Sequence, residues 1–595
     1  LSFKDESWHN HLLGFLGTYL VIDSLASAEK VSKKLKLVHD SYSGSTRSSG
    51  EVNLSRTFDL QPMKDIHLQT EGKMEVANET GTTGETRPLY SWILLGIAGF
   101  VLAMSCMNFI NISIAATLTR MKEMGIRKIT GGSRFQIIGQ FTAESAFVCF
   151  LAVLLALPVS NLLLPFFNSL TGKEISFDDM FARLPLTVLV TILVAVIAVT
   201  GIYPAYRLSS VTLTEIMSSR IKLTGRNYFG RSLVVFQVAT AVFLIVITLV
   251  YQEQLNYVMH KDLGYNPEYI LRTNLNGNIQ YHEYQARLRN RVATVPSLKQ
   301  ISFIGYPQSM NLKIGNESKF ALHEIVDEYY LDVMQIPLKR GRKLDPVNYP
   351  SDVSGSILVN EAFVAENNLK EPIGKVITLD KYFQDSIPKT IVGVVGNVQH
   401  GSMRDRLKPA VMFMQYGVNG GILLKINAAG LQEGLKKFEE IYHELLPEAV
   451  YSYAFMDDIN KRHYEDDLRW KTIFGAGSGI SILICCLGLF GLVYIAGQQR
   501  TREIGIRKVI GASNMGIVKM ISLDFVKLVV IAFVIATPIA LIAVDEWLSN
   551  FAFRIQPGIK LFGTAILITA LMVIASTMVL AMRIARANPV KALRQ

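Results

Sequence analysis

The sequence predicts a polytopic α-helical membrane protein with α+β domains on the outer face. Its spans form two parallel-duplicated four-span units, of which seven spans are visible. Three observations predict this. Half of the 595 residues are hydrophobic and 18 % are charged, below the ~25 % of ordinary soluble domains. Seven stretches reach the roughly 20 apolar residues that a helix needs to cross a bilayer. A ten-residue phrase occurs twice, as "EMGIRKITGG" at 123–132 and "EIGIRKVIGA" at 503–512.

The seven stretches follow one another as 92–117, 135–166, 184–205, 233–251, 473–496, 517–544 and 562–582. The first carries no charge. The second carries only Glu144, and the sixth carries Lys519, Asp524 and Lys527. The short loops between them fix the orientation. Residues 119–134 and 206–231 each hold five Lys/Arg and one Glu, and 500–514 hold four and one. The opposite loops are not basic: 167–183 have two basic and three acidic residues, and 545–560 have two of each. Basic short loops stay in the cytoplasm, so both copies of the phrase and the C-terminus are expected there. The long polar regions, 1–90 and 252–470, are expected outside. The net charge of +11 is largely this asymmetry, which argues against nucleic acid as a partner. Leu1 opens the chain without a signal-peptide pattern, and an eighth span upstream would complete two equal halves.

Internal repetition is sought before any other assignment. Arg120, Glu123, Gly125, Ile126, Arg127, Lys128, Gly131 and Ser133 recur 380 residues later as Arg500, Glu503, Gly505, Ile506, Arg507, Lys508, Gly511 and Ser513. The register runs on into the spans, where Glu144 matches Asp524 and Pro158 matches Pro538. Met63, Asp65 and Ile66 also match Met456, Asp458 and Ile459, and 205–217 parallel 581–593. The phrase reads as a short helix. Glu123–Arg127 and Glu503–Arg507 are i,i+4 pairs in the favourable order. Gly131 and Gly511 suit its C-terminal stop, and Ser133 with Gln136 forms a capping box for the next span. A plain positive-inside loop explains the charges but not the repeated glycines. Glu144 and Asp524, in equivalent intramembrane positions, read either as helix-terminal charges in the interface or as contacts that pack the elbow against its neighbouring span.

Between the fourth and fifth spans, "SILVN" (356–360), "KTIVGVVGNV" (389–398), "AVMFM" (410–414) and "GILLKIN" (421–427) read as strands. "LQEGLKKFEEIYHELL" (431–446) has helical spacing, and 455–470 read as a polar helix leading into the fifth span. Residues 12–62 read as the end of an equivalent domain. Catalytic and metal chemistry find little support. His9 and His11 near Asp5 and Glu6 lack a third ligand at metal spacing. His400 has no nucleophile elbow beside it. Cys106, Cys149, Cys485 and Cys486 lie in apolar stretches and read as buried small hydrophobes. No G-x-x-x-x-G-K-[ST] loop occurs in the sequence.

"REIGIRKVIGAS" (502–513) resembles the signature of FtsX/MacB-like permeases of ABC transporters, the mechanotransmission class. "VDEYYLDVMQIPLKRGR" (326–342) and "IVGVVGNVQHGSMRDRLKPAVMFM" (391–414) resemble their periplasmic core domain, and "ARANPVKALR" (585–594) resembles their C-terminal exit. The resemblance covers nearly the whole chain and implies a double-length form. The first exit departs from it, with Thr212-Leu213 where the second has Asn588-Pro589. The organisation it implies is a first periplasmic remnant at 1–90 and a first permease unit at 91–219. A leading span at 220–252, a second periplasmic core domain at 253–470 and a second unit at 471–595 follow.

The resemblance further implies an inner-membrane, non-enzymatic permease subunit with no cofactor of its own. ATP is held by cytoplasmic ABC ATPase subunits docked on elbows made by Arg120, Glu123, Gly125, Arg127 and Lys128 and by Arg500, Glu503, Gly505, Arg507 and Lys508. A periplasmic adaptor or other periplasmic protein is a further partner it allows. The expected work is export or extraction of a substrate. The alternative is a force-transmitting regulator of a cell-wall hydrolase or signalling partner. A secondary transporter is disfavoured, because Glu144, Lys519, Asp524 and Lys527 all sit near one end of their spans rather than at the midplane.

Overall fold

A computed structural model describes residues 27–43 and most of 88–586; within the latter, 120–125, 128, 132, 172–173, 179–185, 203–204, 207–227, 275–280, 316, 380–387, 400, 416–419 and 448 are not described. Residues 21, 22 and 60 are described as well. Most of the expected 12–62 domain end, the Met63–Ile66 match, both exit segments beyond 206 and 586, and His9, His11 and His400 therefore lie outside the described residues. The chain divides into Leu1–Ser105 and Cys106–Gln595. In the first unit, helix α1 (Ala28–Ser43) is polar and carries a Glu29–Lys33 pair at 2.8 Å one turn apart. Helix α2 (Pro88–Thr119) begins there and runs into the second unit.

Six helices are long and apolar enough to cross a membrane: Ser91–Ile114, Arg134–Thr171, Gly230–Met259, Asp467–Tyr494, Asn514–Leu548 and Ile559–Arg586. They belong to α2, α3 (Arg134–Thr171), α5 (Tyr228–Met259), α9 (Glu465–Gln499), α11 (Asn514–Leu548) and α12 (Ile559–Arg586). The sequence predicted seven. Its third stretch forms α4 (Leu186–Ile197), which ends in a π-helical turn at Ala198–Ile202. The apolar helix Thr187–Ile202 extends only about 24 Å, at ~1.5 Å per residue, against a hydrocarbon core of ~30 Å. The π turn sits where α4 meets α3. A side chain added at Gly201 would lie 3.1 Å from Cβ of Ser145, so only small residues allow this approach.

α5, α9, α11 and α12 pack into a bundle with α5 inside it, its Val234, Val238, Ala241 and Val246 wholly buried. Polar contacts fasten α5 to α9. The Thr248 and Ser478 hydroxyls are 2.7 Å apart, and the Ser478 hydroxyl also donates to the Leu244 carbonyl at 3.0 Å. Inter-helix hydrogen bonds of this kind are worth about 1 kcal/mol in hydrocarbon. On α11, buried Ala532, Ala536 and Ala540 recur every fourth residue, a narrow stripe that lets a neighbour come close. Elsewhere on α3 and α11 large apolar side chains face outward: Leu155, Leu162, Val534 and Ile542 are among the exposed. Rows of such residues on helices of this length are stable only against lipid tails. The chain is a multi-pass membrane protein.

Between α5 and α9 lies a domain built on two sheets. Four antiparallel strands, β1 (Ile270–Asn274), β2 (Leu298–Gly305), β10 (Gly420–Ile426) and β11 (Tyr453–Phe455), pair in the order β11-β1-β10-β2. One face is covered by α6 (Tyr281–Ala293) and α8 (Leu431–Leu445), burying Leu288, Phe438 and Tyr442. The second sheet contains β3 (Gln308–Ile314), β4 (Glu317–Ile325), β5 (Leu338–Gly341), β6 (Ser356–Asn360), β7 (Val376–Leu379), β8 (Pro388–Val395) and β9 (Ala410–Phe413). Its order is β5-β8-β6-β9-β4-β3-β7, and β7 also pairs with β8, which closes a barrel of six strands with β5 alongside. Ile357, Val359, Ile377, Ile391 and Val411 fill its core. The sheets meet around α7 (Tyr330–Met334), Leu358, Met412 and Leu423. The four strand candidates and the 431–446 helix fall on β6, β8, β9, β10 and α8. The polar helix expected at 455–470 is instead broken: Met456–Arg462 is one short helix, a turn follows at His463–Tyr464, and α9 starts at Glu465.

Lys389 on β8 is almost wholly buried, donates to the Ser354 carbonyl at 2.8 Å and lies over the Phe413 ring. Burial pushes its ammonium down to about 8. A lysine whose folded pKa is depressed is stabilised as its proton leaves, so the domain gains stability as pH rises from about 8 toward ~10.4. Lys389→Met removes that rise and stabilises the barrel at pH 7, by up to about 3 kcal/mol. Protection of the β8 amides, corrected for intrinsic exchange, measures both. A variant that keeps the rise would place its origin elsewhere.

Candidate functional site: two repeated elbows

The second elbow is a short helix tied to the span that follows it, and the described residues of the first show matching contacts. In the second copy α10 (Thr501–Val509) carries the Glu503–Arg507 pair at 2.7 Å. It ends in a left-handed turn at Gly511, φ +98°, where the Ala512 amide donates back to the Arg507 carbonyl at 2.9 Å. A side chain at that φ is strained, which is why the position takes glycine. In the first copy Gly131 has φ +93°. The next span opens there with a capping box: the Gln136 amide donates to the Ser133 hydroxyl at 3.3 Å, and the Ser133 amide to the Gln136 side chain at 2.9 Å. Ser513 caps α11 in the same way, accepting from the Gly516 amide at 3.1 Å.

Polar tethers reach from elbow to span at matching places. Arg127 donates to Gln140, whose amide donates to Glu144 at 3.2 Å. Arg507 contacts Met520, the position matching Gln140, and Arg500 pairs with Asp524 at 3.0 Å. Asp524 thus meets the second elbow directly, and Glu144 is linked to Arg127 through Gln140. Arg120, Glu123, Gly125 and Lys128 lie outside the described residues.

Beside the exposed charges of Arg127, Glu503 and Arg507, the elbows also present apolar side chains. Ile506, Val509, Ile510 and Met515 are exposed, Ile510 by 79 %. The matching Ile126, Ile129 and Phe135 are exposed as well, Phe135 by 85 %. Three apolar pairs thus recur at the repeat offset: Ile126/Ile506, Ile129/Val509 and Phe135/Met515. Ile504 and Gly505, by contrast, are buried. Gly505 is therefore a packing position, and the exposed Ile506 beside it is the residue that a partner can reach. The offset that matched the charges already pairs Ile126 with Ile506, and the same register holds the other two pairs.

The sheet domain holds a cleft of about 280 Å³ between its two sheets, lined in part by Arg289, Phe303, Asp327, Glu328 and Val347. Its charges are spent on one another. Arg289 pairs with Asp327 at 2.8 Å and Glu328 at 3.1 Å, and its guanidinium stacks on Tyr329. Asp327 also accepts from the Ser302 hydroxyl and the Phe303 amide. Burial pushes the Asp327 carboxyl up to about 6 in spite of these donors. The arrangement clasps β4 to β2 and α6. Among the described residues no three His, Cys, Asp or Glu side chains are grouped to hold a metal ion.

A family model of the FtsX-like permease C-terminal region matches residues 95–213 and 475–589. Each segment runs from the span before an elbow, through the elbow, to the last span of its half. The uncharacterized ABC transporter permease YknZ of Bacillus subtilis (strain 168) is 22 % identical over 301 residues, 48 % of this chain and 73 % of that protein. The macrolide export ATP-binding/permease protein MacB of Vibrio parahaemolyticus is 23 % identical over 259 residues. That match takes in 39 % of this chain but only 36 % of MacB. The crystal structure of the periplasmic region of MacB from Actinobacillus actinomycetemcomitans aligns with 35 % of this chain and 97 % of its own at 19 % identity and a TM-score of 0.27, a slight likeness. The chain is homologous to the ABC transporter permeases YknZ and MacB and carries the FtsX-like permease C-terminal region twice.

Proposed function

We propose that the chain is the membrane subunit of an ABC-type transporter whose ATP is bound and hydrolysed by separate cytoplasmic chains docked on the two elbows. The repeated apolar trio is the observation that carries this reading. Exposed Ile126, Ile129, Ile506 and Val509 on the elbows, with Phe135 and Met515 in the first turn of the span that follows each, need a covering surface, and apolar residues at the same three positions of both copies suit two equivalent partners. The sequence has no G-x-x-x-x-G-K-[ST] loop, which supports placing ATP on separate chains. The chain's two elbow-bearing units run parallel, with the C-terminus in the cytoplasm and the sheet domain outside the inner membrane. ATP-driven closure of the partners moves the elbows, and the spans carry that movement to the sheet domain, which exports or extracts a substrate. A regulator that activates an extracytoplasmic protein by force is the second reading. The clasped cleft favours it, because its charges are already paired with one another.

Orientation decides whether the elbows can meet an ATPase. In a chain whose four native cysteines are replaced, Val450→Cys should react with a membrane-impermeant maleimide in spheroplasts. Ile510→Cys should react only after the membrane is opened. Both side chains are well exposed. The opposite labelling would put the elbows on the wrong face and end the proposal.

A further inference from the structure

We propose that loop 401–408 of the sheet domain is the joint through which movement of the α11–α12 hairpin reaches that domain, with the Arg404–Asp467 ion pair as its pin. This rests on the reading of the chain as an ABC permease subunit. Two covalent links already join domain to bundle, at the end of α5 and the start of α9. The loop adds a third tie, made only of side chains and one backbone bond.

At the pin, Arg404 pairs with Asp467 in the first turn of α9, where Asp467 is almost fully buried. Tyr251 of α5 donates its hydroxyl to the same carboxylate oxygen at 2.9 Å. One carboxylate therefore gathers the loop, α5 and α9. The loop also grips the hairpin between α11 and α12: the Ala552 amide donates to the Arg404 carbonyl at 3.0 Å, and the guanidinium lies 5.0 Å from the Phe551 ring centre. That hairpin is fixed to α5 in turn. The buried Gln254 side chain donates to the Phe553 carbonyl at 2.8 Å and accepts from the Ile555 amide at 2.9 Å. Trp547 stacks on Tyr251 at 4.6 Å. Beneath the pin, Met403 is buried with its amide donating to the Tyr464 hydroxyl at 2.8 Å, at the break between the short helix and α9.

This composition suits a joint better than a weld. A buried ion pair adds little net stability compared with apolar packing, but it is directional, and leaving either charge alone is costly. It therefore holds one register firmly and admits few others, as a switching contact requires. Met403, unbranched and adaptable, fills the socket without fixing its shape.

The test uses the full chain in nanodiscs, with nitroxide labels on Val450→Cys in the sheet domain and Ile559→Cys at the start of α12. Unaltered at the pin, the chain should give a single label-to-label distance. Asp467→Asn keeps the shape and the acceptor for Tyr251 but removes the charge, and Arg404→Glu places two acids together. Each should lose the single distance and give a mixture. The exchanged pair Arg404→Asp with Asp467→Arg should restore it, which a loss of packing alone would not do. Single variants with the parental distance would overturn the joint, as would failure of the exchanged pair to restore it. A second arm uses the complex isolated from native membranes. With the pin intact, ATP with vanadate should shift the distance; in Asp467→Asn the shift should be lost while ATP turnover persists. If no ATP-hydrolysing chain accompanies the protein, the permease reading fails and the mechanical role of the joint falls with it, whereas the first arm still reports whether Arg404 and Asp467 set the geometry.

Discussion

Replacing Ile506 by glutamate, or Ile126 in the first elbow, should abolish coupling to the ATPase while leaving the permease folded and inserted. Both side chains are exposed in the chain by itself, Ile506 by 51 %, so neither change disturbs a core. In a docked complex the same atoms are expected to be covered. Burying an isoleucine is worth about 1.5–3 kcal/mol, and a carboxylate at that place must be desolvated or must hold the surfaces apart. A loss of at least ~2 kcal/mol is the scale of an interface hot spot, or roughly thirtyfold in affinity. Arg507→Glu should also uncouple, but less cleanly. It destroys the Glu503–Arg507 pair and the contact with Met520, and so loosens the elbow as well as its surface. Gly505→Leu should behave differently again: the position is buried, and the change should lower the yield of folded chain. Co-purification of the ATPase and its ATP turnover in native membranes are the measurements. An Ile126→Glu/Ile506→Glu chain that retains its partner at full turnover would leave the apolar trio without a role.

The elbows were legible because the chain states them twice. With two copies, Gly131 and Gly511 separate from background as left-handed stops, and Ser133 and Ser513 as caps, and the local geometry follows from these residues alone. Charge marked Glu144 and Asp524 as equivalent positions without deciding their role. It hid the apolar trio, because isoleucines near a basic loop read as the frayed ends of a span. Apolar runs located the spans but not their limits. A hydropathy window over 184–205 counts side chains, whereas the π turn at Ala198–Ile202 depends on how closely Gly201 meets Ser145. Strands β6, β8, β9 and β10 were visible as short apolar runs. The closure of the barrel by β7 on β8, and the meeting of Arg404 with Asp467 across 63 residues, depend on distant pairings that no local pattern carries. Tyr464 was lost inside a stretch that reads as one polar helix, although its hydroxyl holds the Met403 amide at the break.

Asp352→Ala should be among the most damaging single changes in the sheet domain, although Asp352 touches neither elbow nor joint. Its side chain is fully buried and accepts four hydrogen bonds. The Arg342 guanidinium grips both oxygens, with Nη2 at 2.8 Å from Oδ1; the Asp345 amide donates at 2.9 Å and the Ser356 hydroxyl at 2.6 Å. One carboxylate thus ties the end of β5, the 342–352 crossover and the first residue of β6. Burial alone would raise its pKa, but the bonds from Arg342, Asp345 and Ser356 outweigh it and hold the carboxyl below its ordinary value. Truncation leaves the guanidinium, an amide and a hydroxyl without their acceptor, and breaking such a buried pair costs about 3–5 kcal/mol. Asp352→Asn keeps the shape and some of the bonds but loses the charge, so roughly 1.5–3 kcal/mol is expected, the range for hydrogen bonds to charged groups. The sign with pH is fixed by the depressed pKa. Stability from this carboxylate is present above its unfolded pKa of about 3.9 and disappears as pH falls through the lower folded value. The parent should therefore lose stability on acidification below about pH 4, and the alanine variant should lose less. Pulse proteolysis of the 342–352 crossover in the purified chain, across urea and pH, reads all three proteins. If Asp352→Ala resists urea like the parent, the crossover is held by the apolar residues beneath it and the buried carboxylate is incidental.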